Sequence, residues 1–270
     1  MKGEGTLNFH FKKYKILKGV LPPFSFMKNI KIILEYDGTG FAGWQWQPDR
    51  PTLQGALEEA IRKTSGEEVR VTASGRTDAG VHAFGQVVNF KSESGLDARA
   101  WHGALNHFLP PEMGVLQSEE VPDDFSARHS ARGKHYGYII LNRPLPSPLK
   151  RNFAWHIGIP LDAEAMKEGA AYLVGKHDFT SFRSTDCDAR NPVRELRSLE
   201  VDRDGNRIFF ALEASAFLRH MVRNVVGTLV EVGRGRIKPE DMRTILELRD
   251  RTKAGPTAPP QGLYLVKVEY

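Results

Sequence analysis

Ser74-Gly-Arg-Thr-Asp-Ala-Gly-Val-His-Ala-Phe-Gly85 lies between two strand-like runs, Glu68–Thr72 and Gln86–Phe90. Two to five residues suffice to reverse a chain between strands, whereas this connection uses about a dozen. Its glycines permit positive φ and close approach of the backbone to a ligand. Arg76 and Asp78 are two apart, so on an extended segment both side chains leave the same side. An ion pair there would hold the carboxylate charged and oriented. Asp-Ala-Gly is also ordinary turn chemistry, and read alone the stretch is a plain hairpin loop sooner than a site.

The 270 residues can hold one large domain or two of ordinary size. Hydrophobic residues make up 40% and charged residues 26%, the proportions of a soluble globular protein. No apolar run approaches the roughly 20 residues that a membrane span needs. Cys187 is the single cysteine, which excludes an internal disulfide and a C-x-x-C site and suits a reducing cytoplasm. The net charge of +5 is mild, but basic residues bunch at Arg128–Lys134, Arg183–Arg197 and Arg219–Lys238. A polyanion such as nucleic acid is an economical partner for those clusters.

Residues 1–27 read as an extension apart from the rest: basic, aromatic (Phe9, Phe11, Tyr14, Phe24, Phe26), with Pro22-Pro23 and no helical period. They lack the apolar core and cleavage site of a signal peptide. Met27 is expected to be the natural start, the preceding residues being an over-reading or a flexible tail. From there the order is strand (Ile30–Tyr36), helix with Leu53, Leu57, Ala60 and Ile61 on one face and Thr52 as its cap, strand, the Asp78 loop, strand, helix (Ala98–Phe108) and strand (Gly114–Glu120). That β-α-β-β-α-β order predicts a ferredoxin-like antiparallel sheet over residues 28–130.

Residues 131–270 restart the pattern. Lys134–Leu141 alternates as a strand, Asp162–Val174 reads as a helix, and Glu195–Asp202 with Arg207–Ala214 form a hairpin about Asp204-Gly205. Helices over Phe217–Gly233 and Pro239–Glu247 and a strand over Leu263–Tyr270 close the chain. The expected fold is α+β: two ferredoxin-like halves with antiparallel sheets flanking a central basic cleft, a usual address for a site. On the Phe217–Gly233 helix, Arg219, His220, Arg223, Asn224, Gly227 and Glu231 would share a polar side. Arg219 and Arg223 would then be like charges at i, i+4, a conflict that a counter-charge would resolve.

Six segments together carry a resemblance. They are Tyr36-Asp-Gly-Thr-Gly-Phe-Ala-Gly-Trp-Gln45, Gly75-Arg-Thr-Asp-Ala-Gly-Val-His82, Ala131-Arg-Gly-Lys-His-Tyr-Gly-Tyr138, His177-Asp-Phe-Thr-Ser-Phe182, His220-Met-Val-Arg-Asn224 and Thr257-Ala-Pro-Pro-Gln-Gly-Leu263. In that order they resemble the tRNA pseudouridine synthase A family, from about Ile30 to the C-terminus. The resemblance implies a cofactor-free, metal-free, homodimeric enzyme of the cytoplasm. Its substrate would be the anticodon stem and loop of tRNA, at uridines 38, 39 and 40. The enzyme detaches uracil from C1′, turns it, and rejoins it through C5. By motif position Asp78 is the catalytic aspartate, either attacking C1′ or deprotonating C2′. Tyr136 stacks on the base and is a candidate for helping remove the C5 proton, Arg223 pairs with Asp78, and Leu263 walls the base pocket. Arg76 and Arg219 are RNA contacts, Arg76 on phosphate or in the place the base vacates. Arg219 stands where the family more often has tyrosine, and residues 1–26 have no counterpart in it.

Two other classes fit part of the pattern. An RNA-binding protein without chemistry uses the basic clusters and aromatics but leaves Asp78 unexplained. A nucleosidase would cut the same bond and release the base. Metal chemistry fails on spacing, since His82, His129, His135, His177 and His220 form no ligand pairs with cysteine.

Overall fold

The computed structural model describes residues 27–270, so the expectations about residues 1–26 lie outside it. In chain order the elements are β1 (Lys28–Tyr36), α1 (Leu53–Ser65), β2 (Thr72–Ala73), β3 (His82–Ser92), α2 (Trp101–Asn106) and β4 (Met113–Val121). There follow β5 (Gly133–Asn142), β6 (Trp155–Ile157), α3 (Ala163–Ala171), β7 (Gly175–Asp178), β8 (Val193–Asp204), β9 (Arg207–Ala214), α4 (Met221–Gly233), α5 (Asp241–Leu248) and β10 (Leu263–Glu269). None of the described helices is long and apolar enough to cross a membrane.

The fold is α+β and dominated by one sheet of ten strands, ordered β4-β1-β3-β10-β5-β9-β8-β7, with β2 on β3 and β6 on β5. Two separate antiparallel sheets were the expectation. What joins them is β10, the last strand, which inserts at the middle. It runs antiparallel to β5 (Leu263 opposite Tyr138) and parallel to β3 (Tyr264 opposite His82). Parallel pairing requires a long crossover, and here nearly the whole second half of the chain supplies it.

Two apolar cores flank that junction. Ile30, Ile32 and Leu34, alternating along β1, are fully buried with Leu53, Leu57 and Ile61 of α1 and Trp101 of α2. Tyr138, Ile140, Phe179, Phe182, Phe210 and the apolar residues of α4 make the other. Each core recruits across the boundary, Val81 into the second and Leu265 with Val268 into the first. Tyr136 packs against both.

Helix α1 follows its local signals. Thr52 Oγ1 accepts from Gly55 N at 3.2 Å, and Gly66 closes the helix at φ 78°. Thr52→Ala is expected to destabilise the protein by about 1 kcal/mol, read as a shift in the denaturation midpoint without a change in slope. Two expected elements are corrected. The run Glu68–Thr72 is a strand only at Thr72–Ala73, because the preceding backbone is held by side chains instead, Val71 N donating to Glu58 Oε1. Helix α4 starts at Met221 rather than Phe217, because His220 takes a left-handed conformation at φ 61° that no helix continues through. Its supposed polar side is also buried. Asn224, Gly227, Thr228 and Glu231 face protein, with Asn224 Nδ2 donating to Phe182 O at 2.8 Å.

Candidate active site

The Asp78 loop is held at its base by polar contacts and braced along its length by backbone. Ser74 Oγ meets Gln86 Oε1 at 2.6 Å, Gln86 Nε2 donates to Gly75 O at 2.8 Å, and Lys134 Nζ donates to Ser74 O at 2.6 Å. Burial, with the charge of Arg128 added, pushes the Lys134 ammonium down to about 8. Further along, Thr77 Oγ1 and Tyr36 OH are 2.9 Å apart, and Trp44 N donates to Thr77 O at 3.0 Å. Burial outweighs the hydrogen bonds of Thr77 and Gln86 and pushes the Tyr36 phenol up to about 12, so it stays neutral. Gly43, at φ +99°, backs onto the loop so closely that a Cβ would sit 3.0 Å from Thr77 O. The Tyr36–Trp44 segment is therefore a buttress for the loop, with Trp44 packed rather than available for stacking.

Asp78 itself meets the other half of the chain. Arg223 Nη1 lies 2.7 Å from Asp78 Oδ2, and His220 Nε2 lies 3.3 Å from the same oxygen. The carboxylate remains 28% exposed and the guanidinium 14%. Burial alone would raise the Asp78 carboxyl, but the contacts and charges of His220 and Arg223 outweigh it and hold it below the usual carboxylate range. Arg223 is fixed in turn by its Nε, which donates to Ala258 O at 2.7 Å, while Ala258 N donates to Arg223 O at 3.0 Å. The strap 255–258 thus grips α4 at the residue that grips Asp78.

Tyr136 sits on β5 opposite Leu265 and Leu212, its ring edge-on to Phe217 at 5.0 Å. Burial, then the neighbouring Tyr36 and Asp78, raise its phenol well above the ordinary value. Leu263 is buried at the start of β10 against the second core. Tyr138, two residues beyond Tyr136, is structural: its hydroxyl donates to Pro259 O at 2.7 Å inside that core.

Two sequence expectations change here, and one residue of the site went unassigned. Arg76 is exposed and makes no ion pair with Asp78 among the described residues; Arg223 supplies the counter-charge, with the His220 imidazole beside it. Arg219 lies before α4, not on it, and pairs with Asp186 at 2.6 Å on the surface, so the conflict with Arg223 does not arise. His220 was quoted within a motif but given no role. Nothing in periodicity marks it, because its approach to Asp78 depends on the left-handed turn at its own backbone.

The fold also gathers His135, Glu213 and Glu269 from adjacent strands, a set that spacing along the chain did not reveal. Arg197 Nη1 lies 3.0 Å from Glu213 and 3.3 Å from Glu269, so a protein cation already meets the two carboxylates. Two surface hollows, one lined by Lys63, Leu96, His107 and Phe108 and the other by Tyr172, His177, Arg243 and Arg249, exclude Asp78, Tyr136 and Arg223.

A family model described as tRNA pseudouridine synthase matches residues 32–130 and 170–270. The matched portions contain Asp78, His220, Arg223 and Leu263 and pass over Tyr136. Among curated relatives, the tRNA pseudouridine synthase A of Thermoanaerobacter sp. (strain X514) is 47% identical over 244 residues, covering 90% of this chain and all of its own length. The proteins of the same name from Myxococcus xanthus and Methylococcus capsulatus (strain ATCC 33009 / NCIMB 11132 / Bath) are each 48% identical. They too align with 90% of this chain, over 92% and 89% of their own lengths. With a family model over most of its length and relatives at nearly half identity, the chain belongs to the tRNA pseudouridine synthase family.

Proposed function

We propose that the chain isomerises uridine to pseudouridine in the anticodon stem and loop of tRNA, at uridines 38, 39 and 40, with Asp78 as its one catalytic carboxylate and without a cofactor. The reading rests chiefly on the 2.7 Å ion pair that joins Asp78 of one half to Arg223 of the other. It keeps the carboxylate anionic and partly open beside the junction of the two cores. The C1′–N1 bond breaks, the base turns, C1′ bonds to C5, and the proton displaced from C5 is balanced by one gained at N1. No water is consumed, so the second carboxylate that glycoside hydrolysis needs to deliver one is unnecessary.

A paired uridine must be extruded at a cost of a few kcal/mol. Tyr136 stacks on the extruded base, which returns about 1–3 kcal/mol, and Leu263 walls the pocket. Exposed Arg76 and the half-exposed Arg219 meet phosphate, so affinity falls with salt. The raised Tyr136 phenol is a neutral hydroxyl at working pH, which disfavours a phenolate that takes the C5 proton directly. A cytoplasmic homodimer completes the proposal, with residues 28–130 and 131–270 as the two subdomains of each copy.

The test is release of tritium from C5 of uridine-labelled tRNA, followed by carbodiimide-dependent primer extension to map the product. An RNA-binding protein without chemistry releases no label, and a nucleosidase leaves abasic sites; either result refutes the proposal. Tyr136→Phe is expected to keep tRNA affinity and to lower the single-turnover rate by about tenfold or more. Full activity would remove the hydroxyl from the mechanism and leave stacking as the whole role.

A further inference from the structure

We propose that His220 is a positioning residue that shares Asp78 Oδ2 with Arg223, so that Oδ1 is the oxygen offered to the substrate; this rests on Asp78 being the catalytic carboxylate. Arg223 Nη1 at 2.7 Å and His220 Nε2 at 3.3 Å converge on Oδ2. Among the described residues no side-chain hydrogen bond reaches Oδ1, the one that Asp78 accepts from Arg223 being on Oδ2. One hydrogen bond and one close imidazole contact on the same oxygen favour a single rotation of the carboxylate about its last bond, and leave the other oxygen to what binds there. A single donor would fix a distance but not that rotation.

The backbone at His220 breaks local rules in a way that serves this contact. The residue occupies the N-cap of α4, where Ser, Thr, Asp or Asn would satisfy a free N–H, and its side chain makes no capping bond. It also holds φ at 61°, a left-handed conformation uncommon for residues with a Cβ, although His enters it more readily than most. The imidazole reaches Asp78 instead. Strain and a forgone cap at one residue, beside the perturbed carboxylate, mark a position kept for what the side chain does. The charged groups around the ring are Asp78 and Arg223 near its Nε2, Asp186 across the preceding loop, and its neighbour Arg219, which is tied to Asp186.

Two variants separate side chain from backbone. His220→Gly suits the left-handed backbone and removes the imidazole from Asp78, whereas His220→Asn tolerates the same backbone and keeps a polar group of shorter reach. The expected result for His220→Gly is a melting temperature equal to or above wild type and unchanged KM for tRNA. Its single-turnover rate of label release falls by about 10- to 100-fold, and the acid limb of its rate profile moves toward higher pH, because Asp78 loses one of the two partners that depress it. His220→Asn is expected to recover at least part of the rate. The proposal is overturned if His220→Gly keeps the wild-type rate and pH profile. It is equally overturned if Gly and Asn lose rate together with melting temperature, which is the signature of a structural role alone. Failure of the wild-type enzyme to release label would instead overturn the reading of the reaction.

Discussion

Asp78→Asn is expected to abolish pseudouridine formation, by on the order of 10⁴-fold or more, while tRNA affinity changes only a few-fold. That loss corresponds to about 5.5 kcal/mol of barrier at 1.36 kcal/mol per decade. It is the size expected when a lone catalytic carboxylate, the role proposed for Asp78, loses its charge with its shape preserved. Asparagine still offers an oxygen to Arg223 Nη1, so the loop and the strap behind Arg223 should stay in place and the melting temperature should change little. Alanine is a harsher probe, because it leaves a guanidinium that is 14% exposed with Ala258 O as its one remaining partner. The pH dependence follows from the direction of the Asp78 shift. Its folded value lies below the 3.8 of the unfolded chain, so its contribution to stability is complete above that pH and is lost as pH falls through the folded value. The acid limb of activity should follow the same titration. An Asn variant within about tenfold of wild-type turnover would remove Asp78 from the chemistry.

Gly227→Ala is expected to be the most damaging single methyl in the protein. A Cβ at that position would stand 1.7 Å from Pro256 O and 2.9 Å from Pro256 C. Both are backbone atoms, so no side chain can swing aside, and α4 must part from the strap. That strap is tied to the helix by Gly255 N donating to Thr228 Oγ1 at 2.9 Å and by Thr257 Oγ1 donating to Asn224 Oδ1 at 2.7 Å. Forcing them apart should cost about 3 kcal/mol or more, a drop of roughly 10 °C for a chain of this size. Because Ala258 O holds Arg223 Nε, activity should fall further than stability alone explains, by about 10-fold or more. Gly95→Ala, where an added Cβ meets nothing within 4 Å, serves as the neutral comparison. A Gly227→Ala protein that melts within a degree or two of wild type would show that the strap is not rigidly packed on α4.

Much of the local structure was legible because its causes are local. Alternation along β1, the apolar face of α1 with its Thr52 cap, and the Asp204-Gly205 turn depend on residues a few positions apart. The catalytic candidates could be named from motif position. The start of α4 could not, since a histidine only modestly favours a left-handed backbone and nothing nearby in the chain requires one at 220. The ion pair first sought for Asp78 was with Arg76, its neighbour in the chain, yet Arg76 points to solvent and the true partner lies 145 residues away. Arg219, read as a liability beside Arg223, is instead engaged with Asp186.

The amino-acid order by itself determined most of the longer helices and strands, which family the chain resembles, and which carboxylate is the candidate for chemistry, because periodicity, capping and motif are properties of near neighbours. Only the tertiary structure decided that the two halves share one sheet and that Asp78 meets Arg223 and His220 from far along the chain. Both outcomes depend on β10 entering between β3 and β5 and on α4 being clamped by the 255–258 strap. Such pairings join residues far apart in the chain, and they are selected by burial and by the partners available in the folded molecule rather than by any local preference.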